Sequence, residues 1–290
     1  MANKTRVAVL GLGIMGSGMA GRLLKSEFDV TVYNRSPQKA QALQSIGATV
    51  AKSPAEAARG AEFVISMLAD DQAARSVWVG TDGALAAAGP GTVLIESSTI
   101  SVQWARELAS AAKARGCEML DAPVTGTKPH AAAGELLFLV GGSEETLARA
   151  RPVLAAMSRD VIHLGPAGSG ALIKLINNFV SGVQAVALAE ALALIERTDL
   201  DTAKALAVLT EGAPGSPLVK TLSKRMTASD FATNFALKLM TKDLQYAIEE
   251  AKAHSMSLET ATAAVVVMQR ANAAGFGDKD FSAVIEALRR

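Results

Sequence analysis

Sulfur and imidazole are scarce in this chain. Its 290 residues include one cysteine, Cys117, so no intramolecular disulfide can form and no cysteine cluster can hold a metal. The three histidines, His130, His163 and His254, are far apart, and none has the H-x-x-x-H spacing of a helical metal site. Charge of one sign is also missing. Lys plus Arg is 29 and Asp plus Glu is 28, a net charge of +1, which gives no general footprint for nucleic acid or an anionic membrane. The apolar stretch that begins at Val7 is broken by glycines at 11, 13, 16 and 18 and does not read as a secretory signal. The most apolar long segment, 170–195, carries Lys174, Asn177, Asn178, Gln184 and Glu190, which a lipid-facing helix would not carry casually. It reads as a buried helix of a soluble, cytoplasmic protein.

What is present is a chain that is half hydrophobic, long enough for about two domains of roughly 150 residues. In the first half, short β-branched runs at 6–10, 30–33, 63–67, 92–95, 118–120, 136–140 and 161–164 alternate with helical stretches such as 19–25, 37–45 and 102–114. That alternation predicts an α/β domain with a mostly parallel sheet covered on both faces. The second half reads as helices at 170–196, 202–210, 217–226, 242–254, 258–274 and 281–288, with no convincing strand. The glycine-rich turn at 165–170 is the expected boundary, giving domains 1–164 and 165–290, with ligand expected in the cleft between them.

Gly11-Leu12-Gly13-Ile14-Met15-Gly16 lies between a strand and a helix, with a second strand at 30–33. Such a loop can turn tightly at its first glycine, admit a pyrophosphate at its second and pack helix on strand at its third. The helix N-terminus then faces the phosphate charge. The rival is a strand-turn-helix using glycine only for packing; the flanking strands favour the dinucleotide. After the second strand come Asn34-Arg35-Ser36, where an NAD site usually places an acid. With no acid there, Arg35 can take a 2′-phosphate by a forked contact, and Asn34 and Ser36 can add hydrogen bonds, which points to NADP(H). Arg35 as a plain surface cation and Ser36 as a helix N-cap before Pro37 are the competing readings.

Lys174 stands on an otherwise apolar helix with Asn178 four residues on, so both share a face and need polar partners. A ligand cleft would supply them, and lysine suits proton transfer near neutral pH. The alternative is a snorkelling lysine with Asn178 bonded to nearby backbone. Asp121-Ala-Pro-Val-Thr125-Gly126-Thr127-Lys128 offers hydroxyls and backbone amides for a small carboxylate, or is an ordinary strand-to-helix turn. Glu96-Ser97-Ser98-Thr99 follows another strand at the edge where α/β sheets bind ligands. There, simple helix capping by Thr99 or Ser101 is the rival.

Four motifs occur in register: Gly11–Gly16, Asp121–Gly126, Gly168-Ser-Gly-Ala-Leu-Ile-Lys174-Leu-Ile-Asn-Asn178 and Lys242-Asp243-Leu244. In these the chain resembles, along essentially its whole length, the β-hydroxyacid dehydrogenases. That family includes 3-hydroxyisobutyrate dehydrogenase, tartronate semialdehyde reductase and the glyoxylate/succinic semialdehyde reductases. The resemblance implies a Rossmann-type domain and an all-helical domain joined by a long interdomain helix. It implies Lys174 as general acid when a carbonyl is reduced, with Asn178 orienting substrate. Thr125 and Gly126 would sit at the substrate carboxylate, Thr99 and Lys242 at the cofactor, and Met67-Leu68 beside the nucleotide.

Within the family the common substrate loop is Ser-Gly-Gly with a further Gly three residues later; here it is Thr125-Gly126-Thr127 with His130 at that later position. Thr127-Lys128 is similar instead to the glyoxylate/succinic semialdehyde reductase branch, as are Phe235 and Asp243 in its pocket, the Gly277–Val284 segment and the Asn34-Arg35 pair. The resemblance leaves open whether Asp243 touches substrate or positions Lys242. It implies reduction of small aldehyde acids by NADPH, with 3-hydroxy acid oxidation as the alternative and no metal. Imine reductases share the fold but generally lack a lysine at the position of Lys174. A nucleotide-binding scaffold without catalysis would have favoured an altered Lys174, which is intact. The run 261–268 offers apolar surface that either packs within its own domain or pairs two copies; a homodimer or homotetramer is expected, and a monomer in light scattering would contradict it.

Overall fold

The computed structural model describes residues 4–289; Met1–Asn3 and Arg290 lie outside the described residues. The described residues form two compact units that part between Lys174 and Leu175. They part inside a continuous helix, Ser169–Ile195, whereas the turn read from sequence as the boundary lies just before that helix begins.

The first unit is built on a nine-stranded sheet. Its strands are β1 Arg6–Leu10, β2 Asp29–Tyr33, β3 Thr49–Val50, β4 Phe63–Ser66, β5 Val93–Glu96, β6 Glu118–Asp121, β7 Val124–Thr125, β8 Leu136–Gly141 and β9 Ser158–Gly165. All seven strands read from the sequence are there; the two-residue β3 and β7 are too short to show a period. The order is β3-β2-β1-β4-β5-β6-β8-β7, with β9 on β8. Strands β1 to β6 pair in parallel, and only β6–β8 and β7–β8 are antiparallel. Burial explains the near-continuous apolar runs: Val7–Leu10, Phe63–Ile65 and Val93–Ile95 are all buried, as strands covered on both faces must be. Met19, Leu23 and Leu43 join Val9, Val32, Ile65 and Ile95 in one core.

The register aligns the strand ends. Tyr33 pairs with Leu10, Leu10 with Ser66, Ser66 with Glu96, and Glu96 with Asp121. Five strands therefore finish in one row along the carboxyl edge of the sheet. Strand order reverses between β1 and β4, the switch point where open α/β sheets leave a crevice for ligand.

Glu96 lies fully buried in this row. One carboxylate oxygen accepts the Trp78 indole N–H at 2.7 Å and the other accepts the Ser98 amide at 2.8 Å. Burial still pushes its carboxyl above the ordinary range, the hydrogen bonds from Ser98, Ser66 and Trp78 pulling the other way without cancelling it.

The second unit is helical, as expected: after the shared helix come Thr202–Glu211, Pro217–Thr227, Leu237–Ala253 and Glu259–Ala271. The helix read as beginning at Lys242 begins five residues earlier, at Leu237. The expected helix 281–288 is a 3₁₀ turn, Phe281–Ile285, running into Glu286–Arg289. Leu188, Leu192, Leu222, Met226, Leu244, Met268 and Val284 form its core. Ser169–Ile195 is long and apolar enough to cross a membrane by length and composition, and half of its most apolar window is buried within the protein.

A carboxyl whose native pKa is raised holds a proton that the unfolded chain has already released. Stability contributed this way is full below the ordinary glutamate range and is lost as pH rises through the native value. Glu96→Gln removes that dependence. The urea midpoint of the wild type should fall with pH across this window more steeply than that of the variant, which is itself less stable by about 1–3 kcal/mol from its mismatched buried amide. Parallel pH profiles would contradict the assignment.

Candidate active site

In the first unit, the glycine loop leaves the row directly after Leu10. Gly11 has φ +98°, open to glycine and strained for other residues, and a side chain there would strike the Met67 carbonyl. A methyl on Gly16 would strike the Gly11 carbonyl oxygen. Gly13 differs: a methyl there would meet no protein atom within 4 Å. It is the N-cap of the helix Ile14–Lys25, where no side chain caps the amides and the first turn holds no acid. Two glycines are thus required by the fold, while the third opens onto an uncapped, electropositive helix end.

The neighbouring strand ends hold this loop. Asn34 Oδ1 accepts the Leu12 amide at 2.9 Å, and its Nδ2 donates to the Ser36 carbonyl at 3.0 Å. The Leu12 amide is therefore engaged by the protein, and Asn34 acts as a brace across the β1 and β2 loops. Arg35 and Ser36 are exposed, and Ile14 is 44% exposed. Ser36 precedes a short 3₁₀ turn, Pro37–Ala40, but its hydroxyl caps no amide. After β4, Met67 and Leu68 are partly buried, and the Leu68 amide donates to Ser98 Oγ at 2.8 Å. Thr99 is partly buried beside Ser98. Ser101, not Thr99, caps the following helix, Val102–Ala114, through the Trp104 amide.

Asp121 ends β6. Its two carboxylate oxygens accept the Gly168 and Ala171 amides, each at 2.8 Å, closing the N-terminus of the helix that carries Lys174. Burial pushes this carboxyl up as well, against the lowering pull of those amides. The crowding explains two glycines: a methyl on Gly141 would lie 2.5 Å from Asp121 Oδ1, and one on Gly170 would lie 2.6 Å from the Asp121 carbonyl. Lys174 follows three residues after Ala171 and is partly buried. Thr125 is partly buried in β7, and Gly126 and Thr127 are exposed. The next helix, Lys128–Ala133, packs so tightly on Ile14–Lys25 that a methyl on Gly18 would lie 2.9 Å from Ala131 Cβ.

In the second unit, Asn178 Nδ2 donates to Asp243 Oδ2 at 2.6 Å, and both side chains are buried. The other Asp243 oxygen forms an ion pair with Lys242 Nζ at 2.9 Å, and that ammonium lies 4.8 Å from the centre of the Tyr246 ring. A methyl on Gly182 would lie 2.6 Å from Leu244 Cδ1, so the small residue brings the two helices close enough for this bond. One Asp243 oxygen thus orients Asn178, while the other faces the Lys242 ammonium and accepts no hydrogen bond. Phe235 packs its ring edge-on to Phe281 at 6.0 Å and places its amide on the buried Asp280.

The sequence held no direct sign of these partnerships. Asn178 on its apolar helix and Glu96 at the end of an apolar strand were visible as polar groups in apolar surroundings, but their partners were not. Asp280, which takes the amides of Asn234, Phe235 and Ser282, gave no such signal.

Comparison with known proteins agrees along the whole chain. Residues 6–165 match the family model of the NAD binding domain of 6-phosphogluconate dehydrogenase, and residues 168–288 match that of NADP-dependent 3-hydroxyisobutyrate dehydrogenase. An NAD-dependent L-serine dehydrogenase of Pseudomonas aeruginosa is 37% identical over 287 residues, covering 96% of each chain. The chloroplastic glyoxylate/succinic semialdehyde reductase 2 of Arabidopsis thaliana is 35% identical over 283 residues, covering 98% of this chain and 79% of that one. The chain belongs to the β-hydroxyacid dehydrogenase family. The solved structure of Mycobacterium tuberculosis 3-hydroxyisobutyrate dehydrogenase with L-serine superimposes with a TM-score of 0.90 at 38% identity, covering 99% of this chain and all of that one.

As a β-hydroxyacid dehydrogenase, the protein is an oxidoreductase that uses a nicotinamide dinucleotide. Its own residues fit that group: the helix end at Gly13 is uncapped and acid-free, and no side chain fills the space above it. Gly13→Ala should therefore leave thermal stability nearly unchanged, within about 0.5 kcal/mol, while weakening dinucleotide binding by about tenfold or more. Gly16→Ala should lower stability itself. Equal effects of the two substitutions on stability, or unaltered binding in Gly13→Ala, would contradict this reading.

Proposed function

We propose that this enzyme reduces small aldehyde acids, glyoxylate and succinic semialdehyde among them, to hydroxy acids with NADPH. The observation that supports the cofactor half is the end of β2: Asn34 braces the loop, no acid follows, and Arg35 is exposed, free to meet a 2′-phosphate. The substrate half rests on Thr127-Lys128, Phe235 and Asp243, which resemble the reductase branch, and on the Arabidopsis relative of that name.

The bound nicotinamide supplies the hydride. Lys174 donates a proton from Nζ to the carbonyl oxygen as the C=O π pair moves onto it, and regains that proton from solvent. Asn178, held by Asp243, orients the carbonyl beside Lys174. Thr125 and Gly126 hold the substrate carboxylate, fixing one substrate orientation against the nicotinamide. Asp243 orients Asn178 through one oxygen and faces the Lys242 ammonium with the other, at the edge of the substrate pocket. Lys242 and Thr99 serve the cofactor, with Met67 and Leu68 flanking it. The enzyme works as a cytoplasmic homo-oligomer.

A second reading, oxidation of a 3-hydroxy acid at the same site, is favoured by the likeness to 3-hydroxyisobutyrate dehydrogenase with L-serine. The ratio of forward to reverse kcat/KM with each nucleotide separates the two.

Lys174→Ala should bind NADPH with ordinary affinity and lose turnover by about 10²–10⁴-fold. Undiminished turnover would remove the lysine from the chemistry. Arg35→Ala should raise the KM for NADPH by about tenfold while leaving that for NADH within about twofold. Equal effects on both nucleotides would overturn the NADP assignment.

A further inference from the structure

His130 has no part in the function described so far, yet it holds the loop on which the substrate carboxylate is proposed to rest. Thr127 is the N-cap of the helix Lys128–Ala133, and His130 is that helix's third residue. His130 Nδ1 lies 3.1 Å from the Thr127 amide nitrogen and 2.7 Å from Thr127 Oγ1. The Thr127 amide donates to Nδ1, in the manner of an amide held by a side-chain acceptor three residues on. The arrangement is a capping box in which an imidazole takes the place usually held by Glu or Gln.

The effect reaches Gly126. Thr125 is pinned on one side by its pairing with Leu137 in β8. Thr127 is pinned on the other by His130. Between them Gly126 adopts φ +137°, and a methyl there would lie 3.2 Å from His130 Cβ and 2.9 Å from Leu136 Cδ2. The imidazole side chain thus packs on the Gly126 backbone while its ring holds the next amide.

Chemistry explains the choice of residue. A glutamate would cap Thr127 equally well but would put a negative charge beside a site meant for a carboxylate. An imidazole provides the acceptor without a carboxylate's negative charge. We infer that His130 is a positioning residue for substrate: its ring, holding the Thr127 amide, preorganises the Thr125–Thr127 loop to receive an anionic substrate. The inference rests on the proposal that this loop binds the carboxylate.

Four variants test it by initial rates with glyoxylate and NADPH. His130→Ala should raise the KM for glyoxylate by about tenfold, with kcat and the KM for NADPH within about twofold of wild type. His130→Gln, which restores a neutral acceptor, should recover most of that loss. His130→Glu should restore the thermal stability of the cap and yet have a KM above that of His130→Ala. A glyoxylate KM unaltered in His130→Ala, or His130→Glu performing as well as His130→Gln, overturns the inference. Thr125→Val is run in parallel: a raised KM there with none in His130→Ala defeats the role of His130 alone, whereas no effect in either removes the carboxylate site as well.

Discussion

The carboxylate of Asp121 is the constraint on which the first unit's site depends. Buried at the end of β6, it closes the two amides at the head of the long helix and so fixes where that helix starts and how it leaves the sheet. Lys174 follows within one helical turn of the second of those amides. Moving this anchor would move the lysine. The cost is plain: a carboxyl stripped of water, its pKa raised, with two glycines kept nearby because no side chain fits.

The same row of strand ends organises the rest. Tyr33, Leu10, Ser66, Glu96 and Asp121 lie in register, so each loop that follows opens on the same edge. Buried or braced polar contacts then tie these loops to one another. Asn34 holds the glycine loop, Ser98 holds Leu68, Glu96 holds Ser98, and Ser101 holds both its own helix and the Asp71 carboxylate. Preorganisation here comes from backbone amides answered by side chains on neighbouring loops, each link contributing about a kilocalorie per mole.

Much of this was legible in the residues. Gly11, Gly13 and Gly16 were read as a nucleotide loop; in the structure Gly11 takes positive φ, Gly16 allows close packing and Gly13 leaves the helix end open. The seven longer strands were visible as β-branched runs, while β3 and β7 were not, since two residues show no alternation. Lys174 and Asn178 were conspicuous as polar groups one turn apart on an apolar helix. Their partners were not: Asn178 meets Asp243 across 65 residues of sequence, and nothing local indicates such a pairing. His130 stood out by its position, but its role was hidden because a capping box is ordinarily recognised by Glu or Gln. Asn34 was read as a ligand for cofactor; that its side chain also braces the glycine loop could not be seen, because Leu12 lies 22 residues away.

The most direct measurement is the initial rate of nucleotide oxidation with glyoxylate and succinic semialdehyde. The rates are set beside methylmalonate semialdehyde, tartronate semialdehyde and a cyclic imine, each with NADPH and with NADH. Fast turnover of the first two with NADPH is the expected result. Turnover confined to NADH, or to the branched and hydroxylated aldehydes, would contradict the assignment of cofactor or substrate.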